Sequence, residues 1–223
     1  MRVYLCRLTF HENLFYATRE MGRLYETGRY LHNYALTYAL GLSVAPYFHR
    51  RQIPRYKEEL TPLNERGIYV TPARGVDVCY ELVTFKHADT AYHQEMVAKR
   101  HNIPSYGRAK EIAVGSRFEF AVVSKDPLSL PRWVRMGLWR SKARLECLGE
   151  SETEVTEPSE QVSSLPLNPL DVTGDLRVYD LISMPPSSLV ENARIHTEWL
   201  RTEKIAGKKI RLPVHMAYTF PKT

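Results

Sequence analysis

The sequence predicts an α+β chain built around a largely antiparallel sheet. Runs that alternate apolar and polar residues recur along most of its length, while one segment clearly repeats apolar residues at helical spacing. With 223 residues, 43% of them hydrophobic, the chain can bury one sizeable core, or one core and a smaller lobe, which excludes disorder throughout.

Residues 2–10 form the first expected strand, with Tyr4, Cys6, Leu8 and Phe10 on one face and Val3, Leu5, Arg7 and Thr9 on the other. Over 29–42, Leu31, Tyr34, Ala35, Tyr38 and Leu42 recur at helical spacing, with Gly41 near the stop and Pro46 just beyond. A basic segment punctuated by Pro46, Pro54 and Pro62 follows. Residues 67–71 and 76–85 read as extended, joined by a turn from Pro72 to Gly75. In the longer run Val76, Val78, Tyr80 and Leu82 alternate with Asp77, Cys79 and Glu81, whereas 86–110 shows no clear period.

Two further strands are expected at 115–123, through Phe118, Phe120 and Val122, and at 132–147. In the second, the apolar face changes phase from Val134, Met136 and Leu138 to Trp139, Ala143 and Leu145, which predicts a bulge near Gly137. Residues 149–170, rich in Ser, Thr and Pro and carrying Glu150, Glu152, Glu154, Glu157 and Glu160, predict a solvated acidic loop. A strand at 176–182 comes next. Ser188 and Glu191, at capping-box spacing, then introduce a short helix near 189–201, and Val214, Met216, Tyr218 and Phe220 alternate as a closing strand.

This order fits one or two ferredoxin-like βαββαβ units with insertions. The chain then divides into a domain over 1–148 with a basic insertion near 43–66, the acidic loop 149–170, and a strand, helix and strand over 171–223 packed on the same body. Such a fold hosts many functions, so function has to be argued from sites.

The 31 Lys and Arg outnumber the 25 Asp and Glu, and much of the acid is concentrated in 149–170, so the remainder is markedly basic and suits a phosphate-bearing partner. Cys6, Cys79 and Cys147 lie far apart in strand-like runs with no CxxC pair, and read as small core residues in a reducing compartment. The N-terminus meets polar residues too early for a secretion signal, and no apolar run approaches the roughly 18 residues of a membrane span. A cytoplasmic protein without a membrane partner is expected.

Three segments are candidates for nucleic-acid contact. Over 47–57, Tyr47, Phe48, Arg50, Arg51 and Arg55 interleave cations for phosphates with rings for bases; the alternative is a connection whose aromatics enter the core. Lys99, Arg100, Arg108, Lys110 and Arg117 gather over 99–117, where Pro104, Gly107 and Gly115 loosen the backbone, either to approach a phosphate backbone or as a solvated basic loop. Arg140, Lys142 and Arg144, beside Trp139, would project from one strand face at about 6.6 to 6.8 Å intervals. The competing reading is an edge strand guarded by its charges.

Catalytic signals are weak. The eight histidines form no HExxH motif, and GxSxG, Walker and clustered carboxylate patterns are absent, so no metal, cofactor or catalytic residue is assigned. His11, Lys86, His87 and Tyr92 are general acid–base candidates only in the sense that a metal-free ribonuclease needs no motif.

RVYLCRLTFHENLFYATREMGRLYETGRYLHNYALTYALG, IPSYGRAKEIAVGSRFEF and WVRMGLWRSKARLE together resemble the small Cascade subunit of type I-D CRISPR systems, the Csc-one branch of the Cas-five family. The resemblance runs to about position 147, with a weaker echo at the C-terminus. It implies an RRM-related, ferredoxin-like fold of the repeat-associated (RAMP) superfamily, with a thumb-like insertion and extended loops. It also implies a non-catalytic subunit in antiviral defence that grips the 5′ handle of the crRNA and touches the Cascade backbone and large subunits. Target DNA near the guide's 5′ end would be met indirectly, through guide pairing.

Segment 47–57 suits the thumb. Against the family pattern, RFEFAVVS at 117–124 lacks the glycines of an RRM signature, which puts base stacking on the sheet face in question. Type I-C relatives cut precursor RNA, yet none of their catalytic residues carries over. A metal-independent endoribonuclease and a protein-docking module therefore stand as alternatives.

Overall fold

A computed structural model describes residues 1–45, 54–86 and 106–220. The described chain is mostly antiparallel sheet with few, short helices. The main sheet uses β1 (Arg2–Phe10), β4 (Tyr30–Leu31), β5 (Tyr69–Val70), β6 (Ala73–Asp77), β9 (Arg117–Ser124), β10 (Trp133–Met136), β11 (Ser141–Val162), β12 (Asp175–Ile182), β13 (Leu189–Ile205) and β14 (Lys208–Pro213). Its order is β12-β13-β11-β1-β9-β6-β4, with β10 beside β11, β14 beside β13 and β5 beside β9. A second, four-stranded sheet contains β2 (Arg19–Met21), β3 (Leu24–Glu26), β7 (Tyr80–Lys86) and β8 (Tyr106–Ile112) in the order β2-β3-β8-β7.

The strongest alternation in the sequence builds the centre. Val3 and Leu5 of β1, with Ala121 and Val123 of β9, enter a core closed by Trp199, Leu200, Ile205, Ile210 and Leu212 of β13 and β14. Tyr4, Cys6, Leu8 and Phe10, with Phe118, Phe120 and Val122, enter a second core with Leu14, Leu36, Val134 and Met136. Two cores back to back explain why β1 is apolar on both faces along its first half.

Helix α1 (Asn33–Ala39) is shorter than the 29–42 repeat, because Tyr30 and Leu31 pair with Arg74 and Ala73 as strand β4. His32 caps its start through Nδ1, which accepts from the Tyr34 N–H at 3.2 Å. Gly41, at φ 70°, ends it: Leu42 N–H donates to Thr37 O and Gly41 N–H to Tyr38 O, the paired bonds of a Schellman stop.

Several expectations are corrected. The 76–85 run breaks at Val78–Cys79, where the Ser116 hydroxyl accepts from the Cys79 N–H and bonds its carbonyl; β6 stays in the main sheet and β7 joins the other. The 132–147 run is a hairpin and not a bulged strand, since β10 turns back on β11 through Gly137 at φ 75° and Arg140 at φ 56°. An alanine Cβ at Gly137 would lie 2.6 Å from Leu14 Cδ1 and 2.7 Å from the Phe15 carbonyl oxygen. Gly137→Ala is expected to cost roughly 2 kcal/mol or more, read as a lower urea midpoint at constant slope.

The acidic stretch 149–162 is strand, not loop: Glu154 pairs with Arg201, Val155 with Leu200 and Glu160 with His196 on β13. Its carboxylates meet Arg2, Arg177 and Arg194, and Leu165 and Leu167 beyond it are buried, so its polarity marks an exposed sheet face. The 189–201 segment is the strand β13 instead of a helix, because Ala193 and Ile195 bury with period two between β11 and β12. The alternating Val214 to Phe220 segment does reach the core, but it belongs to no strand. Asn64 bonds the backbone of Tyr218 through both its Nδ2 and its Oδ1.

In the described part of the 43–66 segment, the short helices α2 (Tyr56–Leu60) and α3 (Pro62–Glu65) bury Leu60 and Leu63. Of the cysteines only Cys6 is buried; Cys79 and Cys147 are exposed.

A buried polar chain fastens α1 to the C-terminal half. His32 Nδ1 accepts, so Nε2 carries the proton and donates to Ser187 Oγ at 3.0 Å. Asn168 Nδ2 donates to Asn33 Oδ1 at 3.5 Å, and Asn33 Nδ2 donates to Asp171 at 2.8 Å. Asp171, 2% exposed, also accepts from Tyr69 and from the Thr219 N–H. Burial raises Asp171 to about 6 and lowers His32 to about 4.

Candidate nucleic-acid interface

One face of the main sheet changes from core to solvent along each central strand. On β1, Val3 and Leu5 are fully buried, whereas Arg7 and Thr9 on the same face are only partly covered. Residues opposite one another in an antiparallel ladder share a face. The register therefore sets Trp133, Arg144, Thr9, Arg117 and Asp77 in one transverse row, and Glu146, Arg7, Glu119 and Arg74 in the next. Arg135 and Lys142 continue the face on the other side of the first row. Strands lie about 4.8 Å apart and same-face residues about 6.7 Å apart along each strand, so the cations form a two-dimensional array.

The outer cations are held loosely. Arg144 reaches Glu146 at 3.0 Å, Arg117 reaches Asp77 at 2.6 Å and Arg135 reaches Glu12 at 3.8 Å, with cation side chains 46 to 56% exposed. Exposed pairs of this kind are worth about 0 to 1 kcal/mol, so a phosphate can replace the carboxylate at little cost. Trp133, 44% exposed, carries Lys142 Nζ 4.2 Å from its ring centroid and meets the His11 ring at 5.1 Å and 68°. The face thus joins an aromatic ring to its charges.

Its inner end is fixed. Glu119, 2% exposed, accepts from Arg7 at 2.8 Å and from Lys208 at 2.5 Å. Burial alone would raise this carboxyl, but the hydrogen bonds from Lys208 and Arg7 outweigh it and hold Glu119 below its ordinary value. Arg7 is committed to the protein, and the outer row is where a ligand finds available charge.

Of the sequence-predicted residues, Arg117, Lys142 and Arg144 meet here. Arg140 does not: it sits in the hairpin turn, where its carbonyl accepts from Arg135 at 3.0 Å, so the expected three-residue row is broken. Trp139, in the same turn, packs on Phe15 at 5.1 Å. Arg108 and Lys110 belong to the second sheet on β8. There Lys110 bonds Glu26 at 2.6 Å, lowering that carboxyl, and lies 4.2 Å from the Tyr80 ring centroid. Arg55 pairs with Glu58 on α2, at 3.3 Å.

Tyr47, Phe48, Arg50, Arg51, Lys99 and Arg100 lie outside the described residues, as do the acid–base candidates His87 and Tyr92. Sequence reasoning missed Arg7, Trp133 and Arg135. Their signal was legible, since Arg7 follows the Val3 and Leu5 face, and Trp133 and Arg135 alternate with the buried Val134 and Met136.

Among the described residues no group of three or more His, Cys, Asp or Glu side chains could hold a metal ion, and no helix is long and apolar enough to cross a membrane. The family model of the type I-D CRISPR-associated protein Cas5/Csc1 matches residues 1–221. No curated protein matches the chain.

Proposed function

Because the chain belongs to the type I-D CRISPR-associated Cas5/Csc1 family, we propose that it is the non-catalytic, cytoplasmic Cascade subunit that holds the 5′ handle of the guide RNA on its open sheet face. It would join the backbone filament to the large subunit, and target DNA would be read by the guide and not by this protein. The observation that carries this reading is the register that brings Arg117, Arg144, Lys142 and Arg135 around Trp133. Cations for phosphates beside a ring for a base are the chemistry of a single-strand site.

The strand order also supports a ferredoxin-like body. β1 leads through α1 to β5 and β6, then to β9 between β6 and β1, with β11 closing on the other side of β1. A second helix, expected between β9 and β11, does not occur in the described chain, where residues 125–132 connect to β10 instead. The paired strands β7 and β8 leave this body in the second sheet, which supports a thumb-like extension there.

The test is photo-cross-linking of a thiouridine-labelled handle in the assembled complex. Cross-linked peptides should contain Trp133 to Arg144 and Arg117. Cross-links confined to β12 and β14 would overturn the placement.

A further inference from the structure

The chain carries a facing pair of thiols that the RNA site does not use. Cys6 of β1 and Cys147 of β11 are direct partners in the antiparallel ladder, next to a register shift between Leu5 and Cys6. Opposed residues in such a ladder have Cα atoms about 4.5 to 5.5 Å apart, inside the roughly 4.4 to 6.8 Å that a disulfide spans. The two differ in access, since Cys6 is fully buried and Cys147 is exposed.

We infer that Cys147 and Cys6 form a thiol–disulfide exchange site, with Cys147 as the attacking and Cys6 as the resolving thiol, that takes a low-molecular-weight disulfide of the glutathione type. The Cys147 thiolate attacks one oxidant sulfur; the oxidant's S–S bond breaks and its other half leaves as a thiolate, taking up a proton. Cys6, giving its proton to solvent, then attacks Cys147 Sγ, and the second half of the oxidant leaves as a thiol. Two protein thiols lose two electrons and two protons, and one small disulfide becomes two thiols.

The interaction between the two facing thiols favours this order, because it lowers Cys147 to about 6, while that interaction and burial raise Cys6. The bridge would strap β1 to β11 immediately beside the Arg7 and Glu146 row.

The experiment treats the reduced full chain with oxidised glutathione and maps its peptides without reduction. A Cys6–Cys147 link is expected, with Cys79, in the turn after β6, stopping at a mixed disulfide. Cys147→Ser should abolish the link and leave Cys6 unmodified, and this exposed position tolerates serine. Cys6→Ala should arrest Cys147 at the mixed disulfide and move its alkylation midpoint from near pH 6 toward about 8.5. A wild-type Cys147 that persists as the mixed disulfide, or a Cys6 that reacts only after denaturation, overturns the inference.

Discussion

Replacing Arg117, Lys142 and Arg144 together with alanine is expected to weaken binding of the guide handle roughly a hundredfold or more, because each phosphate contact through a charged donor contributes about 1.5 to 3 kcal/mol. The outer pairs to Asp77 and Glu146 return little of that energy in the free protein. Losing three contacts should also flatten the dependence of log affinity on log salt by about 2, at roughly 0.7 per contact for a single strand. Thermal melts should move little, since exposed pairs contribute about 1 kcal/mol or less. Trp133→Ala should remove a further 1 to 3 kcal/mol, roughly, if a base stacks on that ring, with no change in salt slope. An unchanged slope in a folded triple variant would assign these side chains a purely structural role.

The second large effect is a compensation between two buried groups across one polar chain. His32 is lowered from 6.5 to about 4, so between those values the unfolded state binds more protons and acidification destabilises the fold. Asp171 is raised from 3.8 to about 6, so over nearly the same window the folded state binds more protons and acidification stabilises it. Both are almost fully buried, and each shift corresponds to on the order of 3 kcal/mol. The two effects should largely cancel in the wild type.

His32→Gln should therefore gain stability as pH falls from 6.5 toward 4, and Asp171→Asn should lose it, each relative to its own stability at pH 7. Urea denaturation across that range reads both slopes. Parallel slopes in the two variants would mean that these residues do not govern the window. Glu119, held low by Lys208 and Arg7, adds its own loss only as pH falls through its depressed value.

Strand patterning was legible wherever one residue type decided the face. β1 and β9 fall close to their expected places, because both are runs of large apolar side chains that the sheet buries on its two faces, and β12 does so with its side chains mostly exposed. Helical and loop expectations failed where composition imitated another state. Ser188 and Glu191 have capping-box spacing in a segment that pairs on both sides, and the glutamates of β11 look like a linker until Arg201, Arg194 and Arg2 stand near them. Neither partner strand is visible locally, since β11 and β13 lie some forty residues apart in sequence.

By itself the sequence determined that the chain has an antiparallel core with a basic surplus, and it carried the likeness that the family match extends over residues 1–221. It also supplied the cations Arg117, Lys142 and Arg144. Only the tertiary structure decided which cations act together. Register places Arg117, Thr9, Arg144 and Trp133, from four separate strands, in one row, while a left-handed turn removes Arg140 from it. A sheet assembles its face across strands, through hydrogen bonds between distant segments, and no window along the chain contains that geometry.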